Sequence, residues 1–250
     1  MRLCENQTPV GYDARVEALQ QTCEAGHVKI VEFLLTETSP AVSGSYRAID
    51  TEAKNKALGI AVENGQLDVA KLFLKHGAAL EGVVFIGSSP LHIAVNRRDR
   101  DMCRFLLETN NSYLNSRDSN GRTALFTAAW NADDDMVDLL LLKAKAEPDA
   151  KNKDDETPLH LAVSRGFVSV AMTLLEAGAS PVTSKSDKDT PLHAACRTPA
   201  WSDLTPFVAA ALDAGRTTPD LADTDMDGRT LLSLAVISGQ VEVVKLLLQR

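Results

Sequence analysis

The sequence predicts an all-α solenoid: about seven helix-turn-helix repeats joined by short loop or hairpin fingers. Three observations carry that prediction. Segments built on the pattern TPLH recur, as TPLHLAVSRG from Thr157, TPLHAACRTP from Thr190 and SPLHIAVNRR from Ser89. Each copy is followed by a second apolar stretch whose apolar positions have helical spacing. Aromatic residues make up only 5% of the 250 residues, so the core must be filled by Leu, Val and Ala, which suits many thin packing layers better than one deep core.

Weaker copies in the same frame bring the register starts to 17, 56, 89, 123, 157, 190 and 230, with spacings of 39, 33, 34, 34, 33 and 40 and an underlying period of 33. In order, EALQQTCEAG opens the first repeat, and the stretch Glu17 to Leu35 departs most from the pattern, as a capping repeat would. Residues 37–50, rich in Ser, Pro and Gly, form an inserted loop. KALGIAVENG and LDVAKLFLKHGA make the second repeat, closed by Gly77. In the third, SPLHIAVNRR follows a finger with the apolar run Val83, Val84, Phe85 and Ile86, and Asn110 and Asn111 stand where a left-handed Gly would end the second helix. TALFTAAWNA and DMVDLLLLKA make the fourth, TPLHLAVSRG and VSVAMTLLEAGA the fifth, closed by Gly178. The sixth carries a second insertion, 197–207, around Trp201, and Gly215 closes it. TLLSLAVISG and VEVVKLLLQR make the seventh, which ends without a Gly cap or a polar outer face, so further repeats or another domain are expected beyond Arg250. The chain thus divides into a leader, 1–11, and a single repeat domain, 12–250.

Local chemistry supports the same boundaries. Thr157 and Thr190 can cap a helix with their hydroxyls, and Pro158 and Pro191 suit the first helical position, where no N–H partner exists. Small residues recur in the first helix at Ala61, Ala94, Ala128, Ala162, Ala195 and Ala235, which lets neighbouring helices approach closely. A 33-residue period carrying T-P-L-H, then A-A or A-V, then Gly, V-V-x-L-L-L and G-A closely resembles the ankyrin repeat, over roughly residues 12 to 250.

That resemblance implies a concave face lined by the first helices and the fingers, with partner contacts made just after the first-helix Ala pair. In the repeat frame those positions are Glu63 and Asn64, Asn96 and Arg97, Trp130 and Asn131, Ser164 and Arg165, Arg197 and Thr198, and Ile237 and Ser238. Trp130 stands where a small or polar residue would suffice, and Arg97, Arg165 and Arg197 form a basic line in an acidic protein. Trp and Arg are the side chains enriched in binding hot spots. The expectation is a partner-binding strip of Asn96, Arg97, Trp130, Asn131, Arg165 and Arg197 that takes an acidic or aromatic-containing peptide. Phe85 is added as an exposed finger contact, against the alternative of a finger folded on its neighbour. Trp201 is added as a ligand contact, against the alternative of a ring folded back on the stack.

Composition excludes several other classes. A net charge of −8 and a pI near 5.2 argue against nucleic-acid binding through a basic surface. No apolar run reaches membrane-spanning length and the first residues lack the apolar stretch of a signal peptide, so no membrane is expected and an intracellular location is. His92, His160 and His193 occupy one slot of successive repeats, too far apart to share a metal, and are expected to tie adjacent turns by hydrogen bonds. Cys23, Cys103 and Cys196 read as small buried residues, Cys4 precedes the repeats, and Asp133, Asp134 and Asp135 sit at a helix start, where acidic groups favour the dipole. No cofactor, metal or catalytic set is expected. The function expected is a protein-protein interaction module that is a monomer or part of a larger multidomain chain. The alternative is an unusual repeat enzyme or small-molecule binder with a pocket in the concave groove.

Overall fold

Helix starts follow the hydroxyls. The computed structural model of the chain describes residues 12–36, 49–80, 87–185, 188–197, 205–213 and 220–250. At Thr123, Thr157, Thr190 and Thr230 the hydroxyl oxygen accepts from the backbone N–H three residues on, at 3.2 to 3.3 Å. Pro90, Pro158 and Pro191 occupy the first turn that follows the cap. Such caps each stabilise a helix by about 1 kcal/mol, which matters for first helices as short as the seven residues of Pro90–Asn96.

Among the described residues these starts yield fourteen α-helices in seven pairs and no strand. The pairs are α1 Tyr12–Ala25 with α2 Val28–Thr36, α3 Thr51–Glu63 with α4 Leu67–Lys75, and α5 Pro90–Asn96 with α6 Arg100–Thr109. Next come α7 Ala124–Trp130 with α8 Asp134–Asp138, α9 Pro158–Arg165 with α10 Val168–Glu176, α11 Pro191–Arg197 with α12 Thr205–Asp213, and α13 Leu231–Ile237 with α14 Val241–Leu248. Contacts gather them into two compact units, Met1–Asn110 and Asn111–Arg250. In the first unit, first helices pack in the order α1, α3, α5, and α2 packs on α4. In the second, first helices pack in the order α7, α9, α11, α13, and second helices in the order α8, α10, α12, α14. The core is the seam between these layers: Leu58, Leu91, Leu125, Leu159 and Leu192 from the first helices, and Phe73, Leu106, Leu140 and Leu174 from the second, are all buried.

Among the described residues the turn between the helices of a pair places one residue in left-handed conformation, nine positions after the register start, in six of the seven repeats. Gly26, Gly65, Gly166 and Gly239 occupy that slot with φ between 70° and 79°. In the third and fourth repeats Arg98 and Ala132 stand there instead, with φ of 58° and 50°. A Cβ in this conformation costs about 1–2 kcal/mol. The turn is therefore imposed by the packing of the two helices and not by the residue that occupies it.

The fingers recur as side-chain-braced turns. Asp118, Asn152 and Asp225 stand five residues before a cap, and each accepts two backbone N–H groups on one side-chain oxygen, at 2.8 to 3.0 Å. This is the short-range bonding that makes Asx residues turn formers. Two expectations need correction. Asn110 does not take the left-handed conformation of a terminal Gly: at φ −154° and ψ 107° it is extended, and a 3-10 turn, Asn111–Tyr113, follows. The second helix of the fourth repeat is not regular either, because α8 runs into a π-turn, Leu139–Lys143. Pro148 lies one residue further from Thr123 than Pro181 does from Thr157. The extra residue is absorbed as a widened turn in which Ala144 N–H donates to Leu139 O at 3.2 Å and Ala146 N–H to Leu140 O at 2.9 Å. Leu142 is left 57% exposed.

The inserted stretches, the leader, the Val83 to Ile86 finger and Gly215 lie wholly or mostly outside the described residues.

Candidate functional site

The positions just after the first-helix Ala pair are the last residues of a short helix, so their side chains leave the packed seam. Trp130 closes α7 and is 42% exposed. Arg165 closes α9, and its guanidinium carbon lies 3.7 Å from the centroid of the Trp130 indole. That is a stacked cation–π contact, which stabilises an exposed pair by about 0.5–1 kcal/mol. Its geometric effect is larger than its energy: stacking holds a long, entropically free side chain flat, with the hydrogen-bonding edge of the guanidinium directed away from the ring. Among the described residues the indole is the partner of that guanidinium. A planar fork of donors is thus held in place for a bidentate acceptor.

Arg197 behaves differently. It closes α11 and turns to the fingers, with Nη2 2.8 Å from Asp189 Oδ1 and 3.3 Å from Asp225 Oδ2. Both carboxylates are nearly sealed from solvent. Burial alone would raise the Asp225 carboxyl, but the backbone N–H groups of Arg229 and Asp227 and the charges of Arg197 and Arg229 bring it below the ordinary Asp value. Asp118 follows the same logic, burial being outweighed by the Arg122 side chain, the backbone of Arg122 and Asn120, and the Arg122 charge. Asp149 goes the other way: burial dominates, only the Ser180 N–H offsets it, and its carboxyl is raised. Arg197 therefore joins two buried finger carboxylates while its side chain stays 45% exposed.

Arg97 caps α5 and donates from Nη2 to Asn64 O at 3.2 Å, across the turn of the preceding repeat. Gly65 makes room for it, since a Cβ there would stand 3.2 Å from Arg97 Nε and Nη2 and from Asp99 Oδ2. Asn96 is exposed, and Asn131 caps α7 half-buried. Of the expected strip, the structure brings Trp130 and Arg165 into one pair, gives Arg197 a different set of partners, and places Asn96 and Arg97 in the first compact unit. Phe85 and Trp201 lie outside the described residues.

Two of the repeated histidines, His160 and His193, have the bonding between adjacent repeats expected of them. Thr157 N–H donates to His160 Nδ1 at 3.2 Å, so Nδ1 is the acceptor and Nε2–H donates to Asp189 O in the next finger at 3.2 Å. His193 pairs with Thr190 Oγ1 at 2.8 Å and reaches Asp223 O at 3.4 Å, while Ser89 Oγ lies 2.7 Å from His92 Nδ1. Asp133 caps α8 by accepting from Met136 N–H. Cys23 and Cys196 are buried thiols, both pushed up to about 12 by burial, with Glu24 adding to the effect at Cys23. A cleft of about 380 Å³ lies elsewhere, between α1 and α3, lined by Asp13, Glu17, Asp50 and Glu52 among others. Asp50 is already the α3 cap and Glu52 is paired with Lys56.

Comparison with known proteins matches this architecture. A family model described as ankyrin repeats in three copies matches residues 2–84, 83–152 and 133–202, and a single ankyrin-repeat model matches 227–250. The B-cell lymphoma 3 protein homolog of Mus musculus is 36% identical over 160 residues, covering 61% of this chain and 34% of that protein. The Transient receptor potential cation channel subfamily A member 1 of Homo sapiens is 30% identical over 148 residues, 59% of this chain and 13% of that protein. The Nuclear factor NF-kappa-B p105 subunit of Gallus gallus is 29% identical over 120 residues, 47% of this chain and 12% of that protein. The matches thus span about a third or less of these relatives' own lengths.

Proposed function

The chain belongs to the ankyrin-repeat family, a family of protein-protein interaction modules, and from that premise we propose that it recognises a protein or peptide partner through its first-helix ends, centred on Trp130 and Arg165. The observation that carries this is the stacked pair itself. An exposed indole supplies rigid apolar area at little entropic cost, and the guanidinium stacked on it offers its donor edge to a carboxylate. An acidic side chain on the partner, beside an apolar or aromatic one, fits both. Asn131 follows Trp130 in the same repeat, and Asn96, Arg97, Phe85 and Trp201 are proposed as further contacts in their own repeats. Arg197 supports the fingers through Asp189 and Asp225, and enters the surface through its exposed part. The reading is of a non-enzymatic module in an intracellular, reducing setting, which the buried Cys23 and Cys196 thiols favour.

The test is capture from the native cell with wild type beside a Trp130→Ala/Arg165→Ala variant. Arg197 is left intact, because its removal would disturb the fingers. The expected result is at least one protein retained by wild type and depleted about tenfold or more by the double variant. Equal retention by both would reject the surface.

A further inference from the structure

One edge of each repeat is the turn that links its two helices, and the slot ten residues after the register start lies on it. His27, Gln66, Asp99, Asp133 and Gln240 fill that slot with polar side chains. Asp99 and Asp133 cap their own helices, accepting from Met102 N–H and Met136 N–H. Gln66 and Gln240 reach back to the preceding repeat, where their Nε2 groups donate to Glu24 O at 3.3 Å and to Ala195 O at 3.2 Å. The fifth repeat places Phe167 there. Its backbone, φ −85° and ψ 75°, repeats that of Gln66, −87° and 75°, and of Gln240, −83° and 78°. Phe167 N–H donates to Ala162 O, as Gln66 N–H does to Ala61 O and Gln240 N–H to Ala235 O. The ring therefore leaves the chain in the direction of those glutamines, toward the end of the preceding first helix, which is α7 with Trp130. It has no hydrogen bond to make on arrival.

By the repeat frame, the ring meets the Ala132 turn. In two earlier repeats the left-handed residue lies under the next repeat: a Cβ on Gly26 would strike the Gln66 side chain, and one on Gly65 would stand 3.2 Å from Arg97 and Asp99. The covering slots, eight and ten after the start, hold Arg165 and Phe167 in the fifth repeat. Beneath them Ala132 carries a methyl at φ 50°, a conformation that Gly would adopt with less strain. Arg97, in the slot of Arg165, donates to Asn64 O, whereas Arg165 lies on the Trp130 ring. Trp130 at 42% and Val168 at 40% exposure complete an apolar edge with one guanidinium in it. Asp134, in the first turn of α8, is exposed on the same edge. We propose that this edge of the fourth and fifth repeats sets partner specificity, with Phe167 as an additional contact, and that it takes a peptide segment of mixed chemistry: a large apolar side chain on Trp130 and Phe167, a single carboxylate on Arg165 and a basic side chain facing Asp134. The proposal rests on the Trp130–Arg165 surface and extends it. Charge complementarity selects this occupant over an acidic tract, because Asp134 follows four residues after Trp130 and repels a second carboxylate.

Panning a phage-displayed library of random short peptides on the 250-residue protein tests this, with the recovered peptides titrated against wild type, Trp130→Ala, Phe167→Gln and Asp134→Lys. Phe167→Gln installs the side chain that the same slot holds at Gln66 and Gln240, so the fold accepts it, and native circular dichroism checks each variant. The expected peptides join an aromatic or large aliphatic residue to one Asp or Glu and one Lys or Arg. Their affinity is expected to fall about tenfold with Trp130→Ala and with Phe167→Gln, and about threefold with Asp134→Lys. Peptides that need Trp130 but bind Phe167→Gln as tightly as wild type overturn this proposal and leave the Trp130–Arg165 surface standing. So do acidic peptides whose binding Asp134→Lys tightens. Peptides indifferent to Trp130→Ala, or a library that yields no binder, overturn both.

Discussion

At the scale of single residues, chemistry separates three arginines that look alike in sequence. Arg165 lies on Trp130, which is its partner among the described residues, Arg97 lies across the Gly65 turn, and Arg197 joins two buried carboxylates. Arg197→Ala is expected to cost about 1–2 kcal/mol in urea unfolding, because it leaves Asp189 and Asp225 short of a partner; Arg165→Ala should stay within about 1 kcal/mol of wild type. Acid sensitivity follows the carboxyl shifts. Asp118 and Asp225 are held below the ordinary value of 3.8, so their contribution is complete above that pH and is lost as pH falls through it toward their lowered values. Asp149, raised in the fold, opposes that trend, regaining stability as pH falls through its elevated value. Replacing Asp225 with Asn should flatten the loss of stability below about pH 4, whereas an unchanged pH profile would contradict the role given to Arg197 and the finger amides. The sequence pattern picked out Trp130 and the Arg positions, because they depart from the repeat. It did not reveal the Arg197 pairings, because Asp189 and Asp225 belong to two different fingers and meet only when the repeats stack.

At the scale of elements, helix starts were legible and helix ends less so. A hydroxyl or a Pro acts locally, through one N–H or its absence, so Thr157 and Pro158 announce α9 without help from the rest of the chain. Left-handed turns are set by how the two helices of a pair pack, so the slot persists whether Gly166 or Ala132 fills it. Ala132→Gly should therefore stabilise the fold by about 1 kcal/mol in thermal or urea unfolding. A destabilised variant would mean that the turn at Ala132 is held by something beyond the helix pair. The π-turn makes a second case. Deleting Leu142 puts Lys143, Ala144, Lys145 and Ala146 on the slots of Glu176, Ala177, Gly178 and Ala179. The deletion is expected to restore a regular helix and to leave stability within about 1 kcal/mol of wild type or above it, where a random core deletion would cost far more.

At the scale of the whole molecule, the scarce aromatics acquire a reason. Thin layers of Leu, Val and Ala need few rings, so the exposed Trp130 stands out against them. Burial across these layers also predicts thiol behaviour. In a Cys4→Ser background, Cys23 and Cys196 should react with a disulfide reagent at pH 8 only after unfolding, since burial keeps both as neutral thiols. The central claim remains that partner recognition centres on a guanidinium held flat on an exposed indole. Its most direct test is titration of the captured partner against wild type, Trp130→Ala, Arg165→Ala and Arg165→Lys. A loss of about 2 kcal/mol, roughly 30-fold in Kd, is expected for each alanine variant with little rescue by lysine, which lacks the planar fork. Wild-type affinity in both alanine variants would contradict it.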